Sequence, residues 1–190
     1  MKKEKLYRKI FLTRCSRIVF SEELKNKHDF YQTLIIYYTV AIIGFSILEI
    51  TTTYGNSIYI LITSIALAFF TVSIQSQRHL ERYLSIKQHY IKLDDLSQRL
   101  EGEITNEEVE SIRLKYIEML DQVENHKKIH LLKHIVKDVD EWKNKDKTTK
   151  IKIYCAIFLY DMKWILSKGV LILLPILLPV ADLLYAKVIN

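Results

Sequence analysis

His126, His130 and His134 recur at four-residue intervals, a spacing that lines imidazoles along one side of a helix and can present ligands to zinc. On a helical wheel they fall opposite Leu132, Ile135 and Val139, among Lys127, Lys133 and Lys137. A solvated surface is therefore the expected role, and no metal is expected. Other chemistry is sparse. The glycines at 44, 55, 102 and 169 stand too far apart to cradle a phosphate. Cys15 and Cys155 are not at metal-ligand spacing and are expected to be reduced and structural. No serine, histidine and acid cluster as a nucleophilic site would require. No catalytic residue and no cofactor is expected, and the chain does not read as an enzyme.

The remaining ionisable residue of interest is Glu49, because of where it sits. Between Gln32 and Gln75 there is no Lys or Arg, and Glu49 is the single acid. This stretch holds two apolar runs of about 18 residues joined by a polar turn, and each covers about 27–30 Å as helix, the hydrocarbon thickness of a bilayer. The expected helices are 31–50 and 58–75, with Tyr54, Gly55 and Asn56 in the reversal between them. An acid inside such a hairpin is a functional candidate. In a ring of subunits, Glu49 would form a collar favouring cations. Ser64, Ala68 and Thr71 fall along one face of the second helix and suit close helix contact.

Charge is segregated around the hairpin. Residues 1–30 carry nine basic and four acidic side chains, and the chain as a whole has a net charge of +6. The positive-inside rule then places the N-terminus and the central region in the cytoplasm and Gly55 outside. No cleavable signal is expected, since the basic N-terminal stretch has no apolar core. The organisation read from this is a basic amphipathic helix over 1–30, a transmembrane hairpin over 31–75, a cytoplasmic helical region over 76–150, and an amphipathic segment leading to a C-terminal membrane helix over 151–190. In the first of these, Lys5, Lys9, Arg14 and Arg17 alternate with Tyr7, Ile10, Phe11 and Ile18. That pattern fits either a helix lying on anionic lipid, with those four cations as membrane-surface contacts, or one packed on the protein's own bundle.

No Gly or Pro occurs between Asn56 and Gly102, so one helix is expected to run from Ser57 to Glu101 and to project from the membrane as a stalk. Ile86, Leu93 and Leu100 repeat at seven-residue intervals, with Tyr90 and Leu96 between them. Thr105 and Glu108 form a capping box, and Val109, Ile112, Tyr116, Met119 and Val123 continue a seam beyond it. A helix over 127–143 follows, with Trp142 on its apolar side. In the last run, Gly169 to Ala186 is expected to span the membrane despite Pro175 and Pro179, with a re-entrant segment as the alternative. The fold class is thus an all-α membrane protein: a helical hairpin extended into a cytoplasmic bundle, with a third membrane helix.

The stretch RIVFSEELKNKHDFYQTLIIYY, leading into a two-helix hairpin and a long helical region, resembles the SLATT family of two-transmembrane effectors of bacterial nucleotide-signalling and defence systems. It is most similar to the subfamily found beside reverse transcriptases, and YDMKWILSKGVLILLPILLP is similar to that subfamily's tail. The resemblance implies an inner-membrane effector that forms a pore or disrupts the bilayer on activation, causing cell death or growth arrest. It also implies a homo-oligomer triggered by a separately encoded sensor, such as a reverse transcriptase or a nucleotide-signalling protein. Direct nucleic-acid binding is not expected, because basic residues with aromatic neighbours beside a membrane anchor to headgroups. The alternative is a membrane tether that recruits a soluble partner through its cytoplasmic helices.

Overall fold

The computed structural model describes residues 3–51, 57–124 and 127–189, and the side chains of 49, 51, 57, 139, 140 and 178–189 lie outside that description. Seven helices are present among the described residues, with no strand: α1 (Lys3–Thr51), α2 (Ser57–Gln77), α3 (His79–Arg99), α4 (Asn106–Asp121), α5 (Lys128–Lys137), α6 (Val139–Lys143) and α7 (Lys147–Ile189). They form two compact units, Met1–Asn26 with His79–Leu159, and Lys27–Arg78 with Tyr160–Asn190. Helices α1 and α7 each contribute one part to each unit.

The first unit is an aqueous-type bundle with a dry centre. Leu6 and Ile10 of α1, Leu93 and Leu96 of α3, Leu100 just past its end, and Val109, Ile112 and Tyr116 of α4 make one buried cluster. Phe20 and Leu24 of α1 close a second one on Ile86 of α3, with Tyr83 and Val123 at its edge. Each fully buried aliphatic side chain contributes about 1.5–3 kcal/mol, so these clusters hold the unit together. The seams of α3 and α4 read from the sequence are this core. The capping box is also formed: the Glu108 amide donates to Thr105 Oγ1 at 3.3 Å, and the Thr105 amide donates to Glu108 Oε2 at 2.7 Å. Lys3 Nζ donates to the Gly102 carbonyl at 2.8 Å, and Tyr7 to Glu101 at 3.0 Å, which ties the α3–α4 turn to the start of α1.

Three expected boundaries differ. The amphipathic segment and the first membrane helix are a single element, α1, because nothing in residues 26–31 breaks backbone hydrogen bonding even though composition changes there. Conversely, the expected helix from Ser57 to Glu101 is interrupted. Arg78 adopts a left-handed conformation with φ 45°, which ends α2 before α3 begins. A left-handed residue after the last helical one is a common way to stop a helix. The helix expected over 127–143 is split at Asp138, whose Oδ1 accepts from the Glu141 amide at 3.1 Å and so caps α6.

Candidate functional site

The second unit carries its apolar residues in the reverse of the usual arrangement. In α1, Leu34 and Tyr38 are buried, while Ile36, Val40, Ile43 and Ile47 face outward. In α2, Thr63 and Ile74 are buried, and Ile58, Leu61, Ile65, Phe69 and Val72 face outward. In α7, Val170, Leu173 and Ile176 are exposed. So much large apolar surface in one compact unit needs a non-aqueous environment. Its described apolar segments are all helical, as hydrocarbon demands, because every peptide group must be satisfied within its own segment. Helices α1 and α2 each hold an apolar stretch long enough to cross a bilayer.

One end of this unit is marked by aromatic and basic side chains. Trp164 of α7 packs edge-on against Phe30 and Tyr31 of α1, with ring centroids 5.5 and 5.8 Å apart. Lys168 Nζ lies 4.6 Å from the Phe30 ring centre and 4.9 Å from that of Trp164, and Lys27 Nζ lies 5.6 Å from Trp164. Aromatic rings with cations above them are the side chains that settle at headgroup level. The cluster gathers Lys27, Trp164 and Lys168 at one place in the unit.

The small-residue stripe on α2 is smooth rather than polar. Ser64 Oγ donates to the Ile60 carbonyl at 2.7 Å and Thr71 Oγ1 to the Leu67 carbonyl at 2.8 Å, so both hydroxyls are spent within their own helix. Ala68 is exposed between them. This strip can admit a close neighbour, and its hydroxyl protons are engaged within the helix. Thr63, which the sequence reading passed over, is the polar side chain turned inward, 1% exposed and with its hydroxyl unbonded. Glu49 stands in α1, but its side chain and the whole of Gly55 lie outside the described residues.

The four cations of the N-terminal half separate into two kinds. Lys5 and Lys9 are exposed, and Lys9 lines a cleft of about 380 Å³ with Glu110, Arg113, Tyr116 and Ile117. Within that cleft the Arg113 guanidinium is held by both Glu110 carboxylate oxygens, at 2.5–2.9 Å. Arg14 pairs with Asp94 of α3 and lies over the Phe11 ring. Arg17 is fully buried. Its Nη1 donates to Nδ1 of His89, and His89 Nε2 in turn donates to the Met119 carbonyl at 2.5 Å. That chain of bonds fixes the neutral tautomer of His89. Burial lowers the His89 pKa, and the Arg17 charge lowers it further. Burial also lowers that of Arg17, whose Nε and Nη2 have no partner. Of the four, Lys5 and Lys9 are exposed, Arg14 is partly covered and Arg17 is enclosed.

His130 and His134 do not form the solvated surface expected of them. His130 is fully buried, stacked on Phe20 at 4.6 Å, with Nδ1 accepting from the Lys127 amide at 3.1 Å and Nε2 3.3 Å from a Glu23 carboxylate oxygen. His134 meets Phe11 edge-on at 6.3 Å. The physical reason is that α5 turns its imidazoles toward the aromatic side chains of α1. His126 lies outside the described residues, and among those described no cluster of potential ligands could hold a metal.

The family model of the SMODS and SLOG-associating 2TM effector domain family 5 matches residues 1–181, and the chain belongs to that family. No curated protein and no solved structure gives a significant match. The protein is a membrane protein, and its role is that of a membrane effector associated with defence systems.

Proposed function

We propose that the chain acts as a self-associating effector in the bacterial inner membrane, forming a pore or disrupting the bilayer when triggered and so arresting or killing the cell. The observation that carries this reading is the outward apolar surface of the second unit, interrupted on α2 by the smooth strip at Ser64, Ala68 and Thr71. Two helices with one such strip cannot enclose water alone, so a conducting path needs several copies about an axis, each offering the same face. The effector works without catalysing a reaction. Its first unit lies in the cytoplasm, on the side where Lys27, Arg78, Lys163 and Lys168 would sit under the positive-inside rule. There it receives a signal from a separately encoded partner, a reverse transcriptase or a nucleotide-signalling protein. The C-terminal half of α7 lies in the membrane as a third helix.

The test is induced expression with a membrane-potential dye, with and without the neighbouring genes. Depolarisation on triggering is expected. It should be lost in Ala68→Phe, which blocks close approach of α2 while leaving insertion intact. If Ala68→Phe stays fully toxic, or crosslinking in triggered membranes yields only monomer, the pore reading fails and a tether for a soluble partner replaces it.

A further inference from the structure

Pro175 stands in the interior of α7 and is buried in the second unit. Proline has no amide hydrogen, so the carbonyl four residues earlier, that of Leu171, loses its helical donor, and the pyrrolidine ring crowds the same carbonyl. In water such a group would be hydrated. In hydrocarbon it must find a donor from the protein. One is supplied by α1, with a second donor on the next carbonyl. Tyr38 Oη donates to the Leu171 carbonyl at 2.9 Å, and the adjacent Tyr37 Oη donates to the Ile172 carbonyl at 3.1 Å. Tyr38 is fully buried, its ring packed edge-on against Tyr37 on one side and Phe70 of α2 on the other, at 5.9 and 5.3 Å. The hydroxyl is therefore held at a carbonyl of α7 that the helix itself cannot satisfy.

We infer that Tyr37 and Tyr38 are a latch on the carbonyl pair beside Pro175, holding the C-terminal half of α7 on α1 and α2. The pairing makes docking conditional. With the hydroxyls in place α7 is complete, and without them the Leu171 carbonyl must turn to water or to another donor, so the helix has a docked and a released arrangement with little between them. Pro175 creates the need and Tyr38 meets it. Tyr37 has the lesser part, since the Ile172 carbonyl can still be reached by the amide of Ile176.

The experiment is a double-mutant cycle on the full chain in lipid nanodiscs, read by hydrogen exchange of the amides around Pro175. Tyr38→Phe keeps the ring and removes only the hydroxyl. It is expected to speed exchange in residues 168–178 roughly five- to tenfold, and Tyr37→Phe by less. The change Pro175→Ala restores an amide that reaches the Leu171 carbonyl. In that background the same Tyr38→Phe change should shift exchange by less than about twofold. The cycle is run in Pro175→Leu as well, so that poor folding of one background leaves the other to decide. Equal acceleration with and without Pro175, or no acceleration in the natural background, overturns the latch.

Discussion

Replacing His89 by Gln should separate the electrostatic role of this residue from its packing. In the fold, His89 accepts from Arg17 through Nδ1 and donates to Met119 through Nε2. Gln offers one acceptor and one donor on a planar group of similar reach, so its hydrogen bonding can stand in for the neutral imidazole. What it cannot do is titrate. Burial, and then the Arg17 charge, lower the His89 pKa in the folded chain below its ordinary value of 6.5. As pH falls through that value, the unfolded chain takes up a proton that the folded chain refuses. Stability is therefore fully present above about pH 6.5 and is lost on acidification, with a ceiling of about 1.4 kcal/mol per pH unit for one site. Denaturant unfolding in detergent micelles, followed by Trp142 fluorescence in a Trp164→Phe background at pH values from about 7.5 to about 5.0, reads this directly. Native chain and His89→Gln should lie within about 1 kcal/mol of each other at the upper end of that range. The native chain should then fall relative to the variant below about pH 6.5. Ionisable groups common to both proteins contribute equally and cancel in the difference. Parallel curves across this range would falsify the claim that His89 is held neutral by Arg17 and burial.

Other changes follow from particular contacts. Arg78→Gly should stabilise the chain by about 1 kcal/mol, because glycine takes the left-handed conformation without a Cβ penalty; a thermal melt in micelles checks it. The same break puts Leu80 in the first turn of α3, so Leu80→Pro should cost far less than Leu93→Pro, which should cost about 3 kcal/mol or more in a helix interior. Protease resistance of the purified variants would rank them. Thr105→Ala removes the hydroxyl that caps α4 and should cost about 1 kcal/mol, measured by denaturant midpoint, with Thr105→Ser restoring most of it. Neutralising Lys5 and Lys9 together should weaken association with anionic vesicles without changing stability by more than about 0.5 kcal/mol, whereas Arg17→Gln should unsettle folding and leave vesicle binding in place.

Local signals in the chain were legible, and long-range ones were not. Thr105 with Glu108 could be read because a capping box is complete within four residues. Ile86, Leu93 and Leu100, and then Val109, Ile112 and Tyr116, could be read because in each set one helical face repeats over a short stretch of chain. The same period led past His89. A three-four spacing from Ile86 to Leu93 can step through 89 or 90, and the apolar Tyr90 was the natural choice; the structure buries His89 and leaves Tyr90 half-exposed. Asp138 with Glu141 three residues later was a readable cap inside an apparently continuous helix. Arg78 gave no such warning, since nothing about an arginine announces a left-handed backbone. The bond from Tyr38 to the Leu171 carbonyl crosses 133 residues, and only the proline that creates its need was visible in advance.

Along α1 the two solvents leave opposite marks on one continuous helix. In its first half, Ser16, Arg17 and Ser21 are buried with Val19, Phe20 and Leu24, and in its second half Ile36, Val40, Ile43 and Ile47 are turned outward. Read one residue at a time, hydropathy would assign the reverse. The buried hydroxyls are tolerated because they donate to their own helix, Ser16 to Leu12 at 2.8 Å and Ser21 to Ile18 at 2.8 Å, so burial leaves no orphan donor. Arg17 has no such local remedy and depends on His89 and Met119 from other helices. The outward apolar residues need no partner because lipid replaces water around them. What decides the placement of each α1 residue is therefore which medium surrounds that turn of helix, a property set by the packing of the whole chain and the bilayer.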